Sequence, residues 1–285
     1  MILVNQQEIL VQVCANLAKN EILSIDTEFE RSTTYFSKLS TIQIASKDCL
    51  VVIDARANLD LYLFQSLLLN HGILKIFHSP REDFEIFYRL FKCLPQNIFD
   101  TQTASRLCGL GSSISYSDLC AQICNIIIDK TYQKANWLRR PLPIEMLEYA
   151  TNDVKYLEVI YNFLQNLITT QGLQERVTQS MHMLIDPKNY KIALDNIWKK
   201  VNFANRSDLF LSRMKIIAAF REECASDADL PRKHFLSDED LVKICNHLPT
   251  SNDELRNLKL NNVHIAKQKY KNRLLDLCSG LKGYK

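Results

Sequence analysis

Short apolar, β-branched runs come first along this chain, and helix-length periodic stretches follow them. Residues 21–25 read as a buried strand, and residues 41–46 and 50–53 as two more in a meander. Gly72 and the apolar run 73–77 predict a further strand. Ser79 and Pro80 then read as a helix start, since serine can accept from free backbone N–H groups and proline suits the first turn. Over residues 143–167 the pattern keeps a helical period in one long stretch. Beyond Asp186-Pro187-Lys188 it is helical throughout, over residues 209–224, 238–247 and 263–277, with Ser237 and Asp240 resembling a helix-start box. The expectation is an α/β domain, a mixed sheet flanked by helices, over residues 1–186. A small all-helical domain follows over residues 187–285.

Three segments carry acidic residues where this pattern converges them. Residues two apart on a strand share a face, so Asp26 and Glu28 in SIDTEFE point the same way at the strand's end. Asp83 in HSPREDFEIF falls in the first turn of a helix, at a strand-to-helix junction. Tyr149 and Asp153 in EYATNDVKYL are four apart and lie on one helical face. Each piece alone has an ordinary reading: a solvated turn, a carboxylate meeting a helix dipole, a surface pair. Together, four carboxylates and a phenol suit two divalent metal ions about 3.5–4 Å apart, which can clamp both oxygens of a phosphodiester being cut.

DTEFERSTTYFSKLSTIQIAS (26–46), FHSPREDFEIF (77–87), FDTQTAS (99–105), NWLRRPL (136–142) and EYATNDVKYL (148–157) occur together in register. Through them the chain resembles the ribonuclease D family over roughly residues 1–180. These are DEDD-type 3′–5′ exonucleases with a tyrosine in the third motif. The resemblance implies a ribonuclease H-like fold and two divalent ions, Mg²⁺ or Mn²⁺. Asp26 would bridge both ions, Glu28 and Asp153 would complete one site, and Asp83 would hold the second. Tyr149 would orient the attacking water; a phenol with a pKa of about 10 is no free base at neutral pH. The implied activity releases nucleoside 5′-monophosphates from RNA 3′ ends, with transfer-RNA precursors as substrates. Two departures bear on substrate fit: Asn136 stands where the family usually has Asp, and Ser37 where many members have Pro.

Arg31, Tyr35, Gln43 and His78 lie beside the motifs and are candidates to touch a terminal nucleotide. For Tyr35 and Gln43 the competing role is packing or backbone pairing; for His78 it is a satisfied buried ring. Trp137, flanked by Lys130, Arg139 and Arg140, is either a base-stacking site with basic neighbours or a core residue under a solvated loop. Residues 229–255 resemble the helical domain that this family shares with RecQ-type helicases. Two alternatives stay open: a non-catalytic RNA-binding or scaffold protein on the same fold, and a DNA 3′–5′ exonuclease.

Composition narrows the class. Apolar residues make up 47% of the chain, no run of 18 apolar residues exists, and Asn5, Gln6, Gln7 and Glu8 interrupt the start. Nine scattered cysteines read as reduced thiols. A cytoplasmic protein with no membrane association and no obligate protein partner is expected. Charge divides unevenly: residues 191–285 hold 18 basic and 12 acidic residues, a net +6, against −3 for the rest. A basic helical part suits a polyanion such as RNA. Lys267, Lys269, Lys271 and Arg273 form its densest cluster, either an RNA contact or the polar face of a terminal helix.

Overall fold

The computed structural model describes residues 1–285 except 193, 205–206, 262–263 and 284–285. It divides into two units, one of residues 1–30 and 38–191, the other of residues 31–37 and 192–285. The seven residues 31–37 thus belong with the helical tail, a membership that no local pattern in the chain announces.

The first unit runs β1 (Ile2–Val4), α1 (Gln7–Leu17), β2 (Ile22–Glu30), β3 (Lys38–Ala45), β4 (Leu50–Asp54), α2 (Tyr62–Leu69), β5 (Leu74–Phe77), α3 (Arg81–Phe91), β6 (Ile98–Asp100), α4 (Thr101–Leu107), α5 (Tyr116–Leu119), a π-helical turn (Cys120–Cys124), α6 (Ile144–Lys155), α7 (Leu157–Gln171) and α8 (Gln174–Leu184). Its six-stranded sheet has the order β1-β4-β3-β2-β5-β6. The β2-β3-β4 meander is antiparallel, and the β1-β4, β2-β5 and β5-β6 pairs are parallel. The mixed sheet flanked by helices is as expected; β1 and β6, three residues each, were too short to show a periodicity.

Phenylalanines fasten α3 to the sheet. Phe84, Phe87 and Phe91 recur at helical spacing and are buried, and Phe84 meets Phe77 of β5 edge-on at 4.9 Å. Burying each such side chain is worth about 1.5–3 kcal/mol. Asp83, next to Phe84, is carried into the interior with them. Ser79 does not cap this helix: its φ is +57°, its N–H donates to Asp100 Oδ1 at 2.7 Å, and Pro80 takes the N-cap position without a side-chain bond.

The single helix expected over residues 143–167 is two, α6 and α7, broken at Tyr156. The Tyr116 hydroxyl inserts at the break. It donates to the carbonyl of Asn152 at 2.7 Å and accepts from the N–H of Tyr156 at 3.2 Å, a pair that an unbroken helix would join directly.

The second unit contains α9 (Asp208–Asp227), α10 (Arg232–Phe235), α11 (Asp238–His247), α12 (Asn252–Asn257) and α13 (Gln268–Lys282). Helix α11 has the expected bounds, and α9 extends the expected stretch by one residue before and three after. The third expected helix begins at Val263, outside the described residues; α13 starts at Gln268 and runs to Lys282. Ser237 accepts from the N–H of Asp240, as a helix-start box requires. Asp240 does not reach back in return; its buried carboxylate accepts from the N–H of Asn261 at 3.0 Å. All nine cysteines are free thiols, and among the described residues no helix is long and apolar enough to cross a membrane.

Candidate active site

Strand β2 supplies the first two carboxylates. Its pairing with β5 stops at Ser24, whereas its pairing with β3 continues to Glu30. Asp26 and Glu28 therefore stand beyond the carboxyl end of β5, where open α/β sheets place their ligands. They share a face, and the ladder shifts register immediately after Glu28. Helix α6 packs on β2, β3 and β4 and brings Asp153. Ligand oxygens of Asp26, Glu28 and Asp153 lie within 4.8 Å of one another. Asp83 stands just outside this trio, in the first turn of α3, where its Oδ1 accepts from the Thr27 hydroxyl.

Burial is the main influence on all four acids. It holds the Asp26 carboxyl well above the usual range, reinforced by the charges of Asp83, Asp153 and Glu28. It pushes Glu28 up to about 9, with Asp153 and Asp83 adding to it, and raises Asp153 to about 7. Asp83 rises to about 6, burial outweighing the bond from Thr27. At Asp26 and Glu28 the neighbouring carboxylates add to burial, a concentration of like charge that suits a cation. The donor set is oxygen-only and hard, which fits Mg²⁺ or Mn²⁺ and argues against Zn²⁺ held by sulfur or imidazole.

Tyr149 is half-buried one turn before Asp153. Burial, then the charges of Asp153, Glu28 and Asp26, push its phenol above the ordinary tyrosine value, so it is protonated at neutral pH. Its ring lies 6.0 Å from that of Trp137 and 6.1 Å from that of Tyr132. Trp137 is 2% exposed and packs against Met146 and Ala150 of α6.

The remaining candidates scatter. Gln43 pairs directly with Asp26 across the ladder but is fully buried, its amide donating to Thr41 Oγ1 at 2.6 Å. His78 has Nδ1 2.9 Å from Thr101 Oγ1, and burial lowers its pKa. Arg140 grips Asp54. Tyr35 and Arg31 belong to the second unit; the Tyr35 hydroxyl donates to Glu222 Oε1 at 2.5 Å, and Arg31 is exposed. In the basic cluster of α13, Lys269 pairs with Asp227 at 2.6 Å and Arg273 with Glu223 at 3.0 Å. Sequence reading passed over Thr27, Asp54 and Tyr116, whose partners lie far along the chain; only Thr27, set between Asp26 and Glu28, had a local signal.

Residues 1–169 match the family model of the 3′–5′ exonuclease domain, and residues 210–278 that of the HRDC domain. Ribonuclease D of Nitrobacter hamburgensis is 36% identical over 251 residues, covering 88% of this chain and 66% of its own length. Ribonuclease D of Acidiphilium cryptum is 30% identical over 282 residues, covering 99% of this chain and 72% of its own. The crystal structure of Escherichia coli RNase D, an exoribonuclease involved in structured RNA processing, matches with a TM-score of 0.87 at 25% identity. That match covers 99% of this chain and 75% of the E. coli one. Fold and sequence together define a class: a 3′–5′ exonuclease domain joined to an HRDC domain. Within it, the chain belongs to the ribonuclease D family. It spans about two thirds of the length of the curated relatives it matches.

Proposed function

We propose that this chain is a metal-dependent 3′–5′ exoribonuclease that trims the 3′ ends of transfer-RNA precursors and releases nucleoside 5′-monophosphates. The observation that carries the reading is the trio Asp26, Glu28 and Asp153, its ligand oxygens within 4.8 Å, with Asp83 beside it. Asp26, Glu28 and Asp153, with Asp83, would hold two divalent ions, Mg²⁺ or Mn²⁺. When bound, the ions supply Lewis acidity and lower the pKa of water toward neutrality. The protonated Tyr149 phenol, on the same helical face as Asp153, orients the attacking water by hydrogen bonding. Burial around the carboxylates keeps bulk water from screening these charges. The net +6 of residues 191–285 favours a polyanionic substrate, and the E. coli relative's work on structured RNA supports RNA as that substrate.

A 3′-extended transfer RNA labelled at its 5′ end tests this directly. A ladder shrinking from the 3′ end in Mg²⁺ or Mn²⁺, and stopped by EDTA, is the expected result. RNA that stays bound and intact would make the chain a binding protein, and faster loss of a matched DNA strand would make it a DNA exonuclease. Tyr149→Phe should slow the single-turnover rate by about ten- to a hundredfold while metal affinity, read by titration calorimetry, stays at the parental value. A parental rate would leave Tyr149 as a packing residue.

A further inference from the structure

We propose that Arg140 and Asp54 are positioning residues for Tyr149, acting through the loop that carries Trp137; the proposal rests on the exonuclease reading above. Residues 125–143, between the π-helical turn and α6, contain no strand and no helix. Yet this loop delivers both rings that flank Tyr149, Tyr132 and Trp137. Something must hold it, and Arg140 does.

The Arg140 guanidinium clasps both Asp54 oxygens, from Nε at 2.8 Å and from Nη2 at 2.6 Å. Nη1 donates to the carbonyls of Trp137 at 2.9 Å and Arg139 at 2.7 Å. Nη2 also reaches the Ser40 carbonyl at 3.1 Å and its hydroxyl at 3.2 Å. That hydroxyl in turn donates to the Trp137 carbonyl at 2.5 Å. Asp54 ends β4 and Ser40 lies in β3, so the loop is anchored to the sheet itself.

A guanidinium has five N–H donors, and these bonds engage all five. None remains for a substrate phosphate, which separates this role from the substrate contact expected of Arg140. With the Trp137 backbone fixed, its buried indole stays tilted 6.0 Å from the Tyr149 ring, and Tyr132 meets that ring edge-on at 6.1 Å. The phenol is thereby confined to the face of α6 that carries Asp153. Lysine cannot substitute, because one ammonium on a flexible stem cannot hold the carboxylate and three carbonyls in one plane.

The test uses the full chain with Trp198→Phe, which leaves Trp137 as the sole tryptophan of two. Arg140→Lys, Arg140→Ala and Asp54→Asn should each increase acrylamide quenching of Trp137. Each should lower kcat by about ten- to a hundredfold with KM and its salt dependence near parental values. Combined with Tyr149→Phe, they should lower kcat no further, because the hydroxyl they position is gone. Raised KM with a weaker salt dependence would make Arg140 a phosphate ligand and overturn the proposal. Full additivity with Tyr149→Phe, or unchanged quenching, would also overturn it. If Arg140→Ala fails to fold, Arg140→Lys and Asp54→Asn retain the loop's bulk and decide the matter. A parent protein that cleaves no RNA would instead sink the exonuclease reading, and this proposal with it.

Discussion

Asp153→Asn should abolish cleavage and, in EDTA, raise the melting temperature. Losing a metal ligand removes transition-state charge stabilisation worth several kcal/mol. At about 1.36 kcal/mol per factor of ten, the rate falls by at least a thousandfold. The same substitution keeps the side chain's shape but removes one of the buried charges crowding Asp26 and Glu28. Relief of about 1 kcal/mol raises the melting temperature by 2–4 °C in a domain of this size. Asp26→Asn should behave alike, and in both variants RNA binding should survive. Single-turnover cleavage and thermal melts in EDTA check the two effects separately. Near-parental cleavage would remove the metal site; a lower melting temperature in EDTA would show that Asp153 is held by bonds that outweigh the repulsion. An opposition of activity and stability is ordinary where a site stores like charges.

Metal-free protein should lose stability as pH rises from about 4 toward 9. Asp83, Asp153 and Glu28 ionise at about 6, 7 and 9 when folded, above their ordinary values of 3.8, 3.8 and 4.5. A carboxyl whose pKa is raised on folding binds more protons folded than unfolded between its two pKa values. Its cost to stability is therefore nil below the unfolded value and complete above the folded one. A tenfold change in a group's proton affinity is worth about 1.4 kcal/mol, so the cluster costs on the order of several kcal/mol by pH 9. Buried Lys75, lowered to about 8 from 10.5, acts oppositely: its cost is relieved as pH climbs from 8 to 10.5. Buried His78, whose pKa is lowered from 6.5, also acts oppositely below that value, so the cleanest window is pH 6.5–8. Urea melts across it in EDTA should slope downward. Saturating Mg²⁺ or Mn²⁺ should flatten the slope, since the cation binds the ionised form and stabilises the folded state by mass action. A flat profile in EDTA would mean that the carboxylates are already neutralised by another group.

Much of the candidate site was legible because two periodicities are local. A strand's alternation puts Asp26 and Glu28 on one face whatever surrounds them, and a helix's turn does the same for Tyr149 and Asp153. Helices α9 and α11 were legible for the same reason, the Ser237 cap of α11 lying within a few residues of its apolar stripe, whereas the short α10 and α12 were not. The surroundings of these motifs were less so. Trp137 had two readings, base platform or core residue, and burial at 2% exposure puts its indole in the core. Arg140 sits in a basic stretch that looks solvated until Asp54 is brought to it.

From the chain's own order of residues come the class of protein, the shared face of Asp26 and Glu28, that of Tyr149 and Asp153, and the helical character of the tail. Tertiary structure alone decided which distant partners complete those motifs. Thr27 meets Asp83 across 56 residues, Tyr116 interrupts the helix at Tyr156 across 40, and Arg140 reaches Asp54 across 86. It also assigned residues 31–37 to the helical unit, with Tyr35 on Glu222 across 187 residues. The physical reason is common to all four. Periodicity constrains neighbours a turn or a pleat apart, whereas a hydrogen bond to a remote residue depends on where packing of the whole core leaves each donor.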